Sequence, residues 1–281
     1  MSHSNQHKTS PDSRYDAPFL TDNHFEASKL DNPKLQSFKF SLKWLLVVIT
    51  MCAFVAAFLT IGFREADRVH SRNQLLSGFR SSYMAICNFE SARRCLPATS
   101  LRDENGVELS SWRFQILPYW GVGHLGRQYW NSPWNAPINR SNLNWMPIPF
   151  GVGATSNRFT TNIFAIGGVD TAFENRDYPG LSKRKFDELP SSLVILMETS
   201  QSTIHWMQPG DYDVDELLAA NGRLSDKVKG VLFDRVHVTF SDGEVWALSP
   251  DMPMTALHPF LTITGAKNAD RDEFLASFRI E

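Results

Sequence analysis

Three aspartates alternate in the segment GDYDVDE, at Asp211, Asp213 and Asp215, and carboxylates grouped in this way are hard oxygen ligands suited to a divalent cation. The calcium loop of helix–loop–helix proteins needs Gly at its sixth place and Glu at its twelfth. Counted from Asp211, those places hold Glu216 and Gly222. The segment therefore reads as a solvated acidic loop, with a weak divalent site outside that motif as the alternative. His124, His205, His237 and His258 are scattered singly, and none has the H-x-x-x-H or H-E-x-x-H spacing that turns two imidazoles toward one metal. No G-x-S-x-G elbow, phosphate loop or paired-Cys zinc pattern occurs. Glu198 closes the run LVILM in METS; a catalytic carboxylate can stand there, but a strand-end Glu facing solvent is the plainer reading. Five tryptophans, Trp112, Trp120, Trp130, Trp134 and Trp145, could stack on sugars, although large burial per residue suits them better to a core and to pinning loops. The expectation is a protein with no catalytic residues, no cofactor and no metal site.

Cysteine chemistry is equally sparse. Of three cysteines, Cys52 falls in an apolar run, while Cys87 and Cys95 sit eight positions apart in SYMAICNFESARRCLP. They can approach if a helix stops between them, and a disulfide there requires an oxidising compartment. The alternative is two thiols, one packed as a small hydrophobe.

The elements that would position any such residues begin with the run from Trp44 to Phe63. It carries no charge and, as a helix rising about 1.5 Å per residue, covers roughly 30 Å, the thickness of a bilayer's hydrocarbon core. Its polar side chains are Thr50 and Thr60, whose hydroxyls can bond back to their own helix carbonyls, and the thiol of Cys52. Some forty residues precede it, so it reads as an uncleaved signal anchor and not as a leader peptide. The lipid bilayer is thus the first expected partner. Lys29, Lys34, Lys39 and Lys43 upstream balance Arg64, Arg68, Arg72 and Arg80 downstream, so basic residues alone do not orient the span.

Residues 1–38 are polar and aperiodic and read as a disordered tail; 39–63 are the transmembrane anchor. In 64–90, Val69, Leu76, Phe79, Tyr83 and Ile86 mark one face of an amphipathic helix that continues the span. Residues 91–281 are long enough for one α+β domain. Strand signals lie at Asn162 to Ile166, at Leu193 to Met197 and in VHVTF (236–240), and Asp242-Gly243 makes a hairpin turn into EVWAL (244–248). A helical signal returns at Asp270 to Phe278. The sheet is expected to be largely antiparallel. A formal net charge of −2 argues against bulk electrostatic binding of nucleic acid.

These residues also carry a family resemblance. FSLKWLLVVI resembles the start of a prepilin helix, Gly followed by F-T-L-I-E-L-L-V-V-I. NQLLSGFRSSYMAICNFESARRCLPA, DENGVELSSWRFQILPYW, YWNSPWNAPINRSNL, FAIGGVDTAF and VTFSDGEVWALS are similar, in order, to segments of the large planctomycete pilin-like family with a C-terminal domain of unknown function. The resemblance runs from Phe40 to about Ala266. It implies a single-pass protein of the inner (cytoplasmic) membrane, N-terminus in the cytoplasm and C-terminal domain outside. It also implies a structural or interaction role at the cell envelope, with other pilin-like or envelope proteins as partners. The alternatives are a pseudopilin-type subunit of a secretion or pilus assembly, and an envelope glycan-binding module. The chain departs from the pattern at its processing motif. Lys39 stands where the peptidase cuts after Gly, before Phe40, and Trp44 replaces the acidic fifth residue of the mature helix. Cys87 and Cys95 both fall at departures, which favours pairing between them. Where the family has a His upstream of the Asp-Gly pair this chain has Leu232, with His237 in the strand itself.

Overall fold

The computed structural model describes residues 41–121, 132–144, 146–147, 150–151, 159–173, 176–177, 184–232 and 234–280. Lys39, Phe40, His124, Trp130 and Trp145 lie outside the described residues, as does the segment 1–38. The chain divides into two units, one ending at Phe54 and the other running from Val55 to Glu281.

Helix α1 (Leu42–Arg93) is 52 residues long and takes in both the apolar run and the amphipathic stretch after it. No proline interrupts it. An 18-residue window of it is unburied among the described residues, with mean hydropathy 2.6, so the helix is long and apolar enough to cross a membrane. Thr50 and Thr60 donate to the carbonyls of Leu46 and Ala56 at 2.8 and 2.7 Å, leaving no hydroxyl unsatisfied on that surface. The helix stops where Arg94 adopts a φ of 61°, the left-handed conformation common just past a helix end, and Pro97 follows.

The buried face of α1 is Leu75, Gly78, Phe79, Ser82, Ala85, Ile86 and Phe89. Phe79 and Ile86 lie on the expected face, which is corrected at the others, since Val69 is exposed and Leu76 and Tyr83 are half-buried. Large apolar residues alone misplace the stripe by about one position. Its close-approach points are the small residues Gly78, Ser82 and Ala85, which a hydrophobicity pattern does not weigh.

After α1, strands β1 (Ser100–Arg102) and β2 (Glu108–Ser111) form an antiparallel pair, followed by α2 (Trp112–Gln115) and α3 (Arg140–Leu143). Then come β3 (Ile163–Gly167), β4 (Arg176–Asp177), β5 (Val194–Glu198), β6 (Tyr212–Asp213), α4 (Val214–Leu218) and α5 (Leu224–Lys227). The chain ends with β7 (Val236–Phe240), β8 (Val245–Leu248), α6 (Met254–Leu257), α7 (Ile263–Ala266), α8 (Arg271–Leu275) and β9 (Arg279–Ile280). The main sheet has the order β6-β3-β5-β7-β8-β9 and is antiparallel except for the β3–β6 pair. A small sheet β2-β1-β4 accompanies it. The fold is α+β, as the sequence pattern implies.

Both faces of the main sheet are covered. Leu75, Phe79, Ile86 and Phe89 of α1 share one cluster with Ile195 and Leu196 of β5 and with Trp112, Phe150 and Trp206. Val194, Met197, Val236, Val238 and Phe240 join Leu257, Phe260 and Leu275 in a second cluster. Strand β5 therefore needs apolar residues on both sides, which is why it reads as an unbroken apolar run.

Candidate functional site

The pairing of β5 with β7 runs Val194↔Phe240, Leu196↔Thr239 and Met197↔Val238. One step further along, the side chain of Glu198 takes over from the ladder. Its Oε1 accepts the His237 backbone N–H at 2.7 Å and lies 2.9 Å from His237 Nδ1, while Oε2 accepts the Val231 N–H at 3.1 Å. Nδ1 therefore carries hydrogen toward the carboxylate. Glu198 and His237 are both fully buried, which corrects the reading of Glu198 as a solvent-facing strand end. His237 Nε2 is buried and has no hydrogen-bond partner among the described residues.

His237 lines a cavity of about 530 Å³ between α1 and the β7–β8–β9 end of the sheet. Arg72, Leu76 and Arg80 line it from α1; spaced four apart, they share one helix face. Strand residues His237, Ala247 and Ile280 form a row across the sheet in register, and Ala247, in the middle, leaves the floor open. Arg279 also borders it, but in register with Leu248 its side chain turns to the other face of the sheet and stacks on the Trp246 ring, its guanidinium carbon 4.4 Å from the centroid. Among the described residues no carboxylate lies within ion-pair distance of Arg72, Arg80 or Arg279. Nearby Arg271, by contrast, is held by Asp242 at 2.9 Å and Glu244 at 3.3 Å.

A second buried charge centre is structural. Arg113 is fully buried and donates to Asp211 Oδ1 at 2.7 Å and to the carbonyls of Trp206, Ile163, Gln208 and Gly210. The same Asp211 oxygen accepts the Trp112 indole N–H and the Ala165 N–H. Burial pushes the Asp211 carboxyl upward, and the adjacent guanidinium works against that shift. The Asp211 carboxylate is therefore buried in the core, which corrects the solvated-loop reading at that position, while Asp213 and Asp215 are exposed as that reading has them. Asp213 caps α4 by accepting from the N–H groups of Asp215 and Glu216, and Asp215 is exposed.

The remaining candidates are spread apart. Cys87 and Cys95 are thiols in this structure and not a disulfide. Cys87 lies one helical turn from Tyr83, burial pushes its thiol up, and Cys95 is buried in the core. Trp44 is exposed on α1. Trp112 is fully buried, Trp120 and Trp134 are half-buried, and outside α1 no described tryptophan is exposed. Trp120 meets Phe150 edge-on with centroids 4.6 Å apart, and Trp134 stacks on His205 at 5.2 Å, so their rings serve packing. His205 bonds the Leu143 carbonyl and the Met207 N–H and is held neutral by burial; His258 is half-buried. Asp242 and Gly243 form the β7–β8 turn, with Asp242 Oδ1 accepting the Glu244 N–H. Among the described residues no group of three His, Cys, Asp or Glu is placed to hold a metal ion.

The pairing of Glu198 with His237 escapes sequence reading because it joins residues 39 apart through strand order. One signal for it exists. VHVTF places His237 on the face opposite Val236 and Val238, and an unbroken apolar β5 next door means that face is covered too. A covered histidine needs a partner.

No family model, no curated protein and no solved structure matches this chain.

Proposed function

We propose that this protein is a single-pass, membrane-anchored, pilin-like protein of the cell envelope whose α+β domain binds and does not catalyse. The observation that carries the reading is the bare apolar half of α1. Among the described residues nothing buries Trp44 to Phe63, and side chains such as Phe54, Phe58 and Phe63 are 63%, 74% and 68% exposed. A helix apolar all round is stable in hydrocarbon or deep in a core, and here no core surrounds it. In the proposed topology the N-terminus is cytoplasmic and the domain extracytoplasmic, on the strength of the pilin-like motifs.

The test is extraction of native membranes with alkaline carbonate, then with detergent. The protein is expected in the carbonate-washed pellet and in the detergent extract. Recovery in the carbonate supernatant would sink the anchor. Protease added to sealed spheroplasts should remove the domain and spare the tail; the reverse pattern would invert the topology.

A further inference from the structure

We propose that the cavity between α1 and strands β7, β8 and β9 binds a phosphate group carried on a partly apolar molecule. Arg72 and Arg80 present two guanidinium groups without a carboxylate partner among the described residues. The planar fork of arginine matches the tetrahedral oxygens of a phosphate and favours it over a bare halide. Two buried polar atoms of the lining residues have no partner among the described residues, Arg72 Nε and His237 Nε2. Buried groups of this kind are normally satisfied, so their coincidence in one cavity marks a position for a ligand's polar atoms.

His237 is fitted to that task by Glu198. The carboxylate engages Nδ1 and leaves Nε2 as the ring's open position. As imidazolium, Nε2 donates to a phosphate oxygen; as neutral imidazole, it accepts from a protonated one. The rest of the lining is apolar, with Leu76, Val245, Ala247 and Ile280, and the volume exceeds what a phosphate group alone fills. The ligand therefore carries an apolar part beside its charge.

Its source is either a soluble phosphate ester or a phospholipid headgroup. The cavity stands without the membrane reading; the choice of source draws on it. Arg72 lies nine residues beyond Phe63 and Arg80 seventeen, or roughly 14 and 26 Å along the helix. A headgroup layer adds only about 5–7 Å to each side of the hydrocarbon. An upright span thus favours the soluble ester.

The experiment uses the full chain in nanodiscs of zwitterionic lipid, titrated with phenyl phosphate at constant ionic strength, with thermal unfolding as readout. A parallel set of nanodiscs contains phosphatidylglycerol. Arg80→Ala removes an exposed cation, and Ala247→Leu fills the floor without touching charge. The expected result is a rise in Tm with phenyl phosphate, with apparent affinity about tenfold weaker in Arg80→Ala and lost in Ala247→Leu. A rise seen only with phosphatidylglycerol, and lost in the same variants, also supports the site and assigns it to lipid. No rise in either set overturns the proposal, as does a rise that both variants keep.

Discussion

Tyr212 donates its hydroxyl to the Glu198 carbonyl at 3.2 Å, and Tyr83 donates to the Ser241 carbonyl at 3.0 Å, so each phenol bridges two elements in its neutral form. Burial pushes the Tyr212 hydroxyl up to about 12, and burial next to Cys87 pushes Tyr83 higher still. The fold thus holds these protons more tightly than the unfolded chain, whose tyrosines ionise near 10. The stability they contribute is full below pH 10 and is lost as pH climbs above it, by about 12 for Tyr212 and at still higher pH for Tyr83. Absorbance at 295 nm should show two of the six tyrosines ionising only together with loss of far-UV circular dichroism. Six tyrosines titrating as one group near pH 10, with the dichroism intact, would refute this. Tyr212→Phe should flatten the stability profile over the same interval. The residue scale is also where sequence reading falls shortest. Asp211 looks like part of a solvated acidic run, yet it is the counter-charge of Arg113, 98 residues away. Isolated charges cost so much to bury that each must find its partner, but which partner is decided by strand order and not by spacing.

Elements are far more legible. The run LVILM, the alternation in VHVTF and the Asp-Gly turn announce β5, β7 and the β7–β8 hairpin, because each is a local rule of period or turn geometry. The two-residue strands β4, β6 and β9 carry no such signal and owe their form to the neighbours they pair with. The hairpin turn shows how a local device acquires a tertiary duty. Gly243 has φ of 89°, and a Cβ added there would lie 2.5 Å from the Tyr83 ring. The position excludes side chains twice, once by backbone conformation and once by the approach of α1. Gly243→Ala should therefore cost about 2 kcal/mol or more in denaturant unfolding. Combined with Tyr83→Ala, which clears the steric conflict, the loss should be less than the sum of the two single changes. Strict additivity would mean that the turn and α1 do not press on each other.

At the scale of the whole molecule, the question is whether the proposed anchor stays an anchor. A prepilin helix enters a filament after its leader is cut and its new N-terminal amine can pair with an acidic residue inside the membrane. That pairing offsets the cost of carrying both charges into hydrocarbon. On the proposed pilin-like reading, Lys39 stands at the cutting position and Trp44 at the acidic one. Indole is suited to the membrane interface and provides no counter-charge. On that reading, a chain cut before Phe40 would present an ammonium with no acidic residue at the fifth place to meet it, so a filament state would lack that stabilising contact while the span itself is unaffected. On the proposed reading the protein remains uncut. Intact mass of the detergent-extracted native protein should then give a chain beginning at or near Met1, close to 31.9 kDa. A mass lacking residues 1–39 would show that the peptidase accepts Lys39. The pseudopilin alternative would then displace the static anchor, and the counter-charge for the new amine would have to come from a neighbouring subunit.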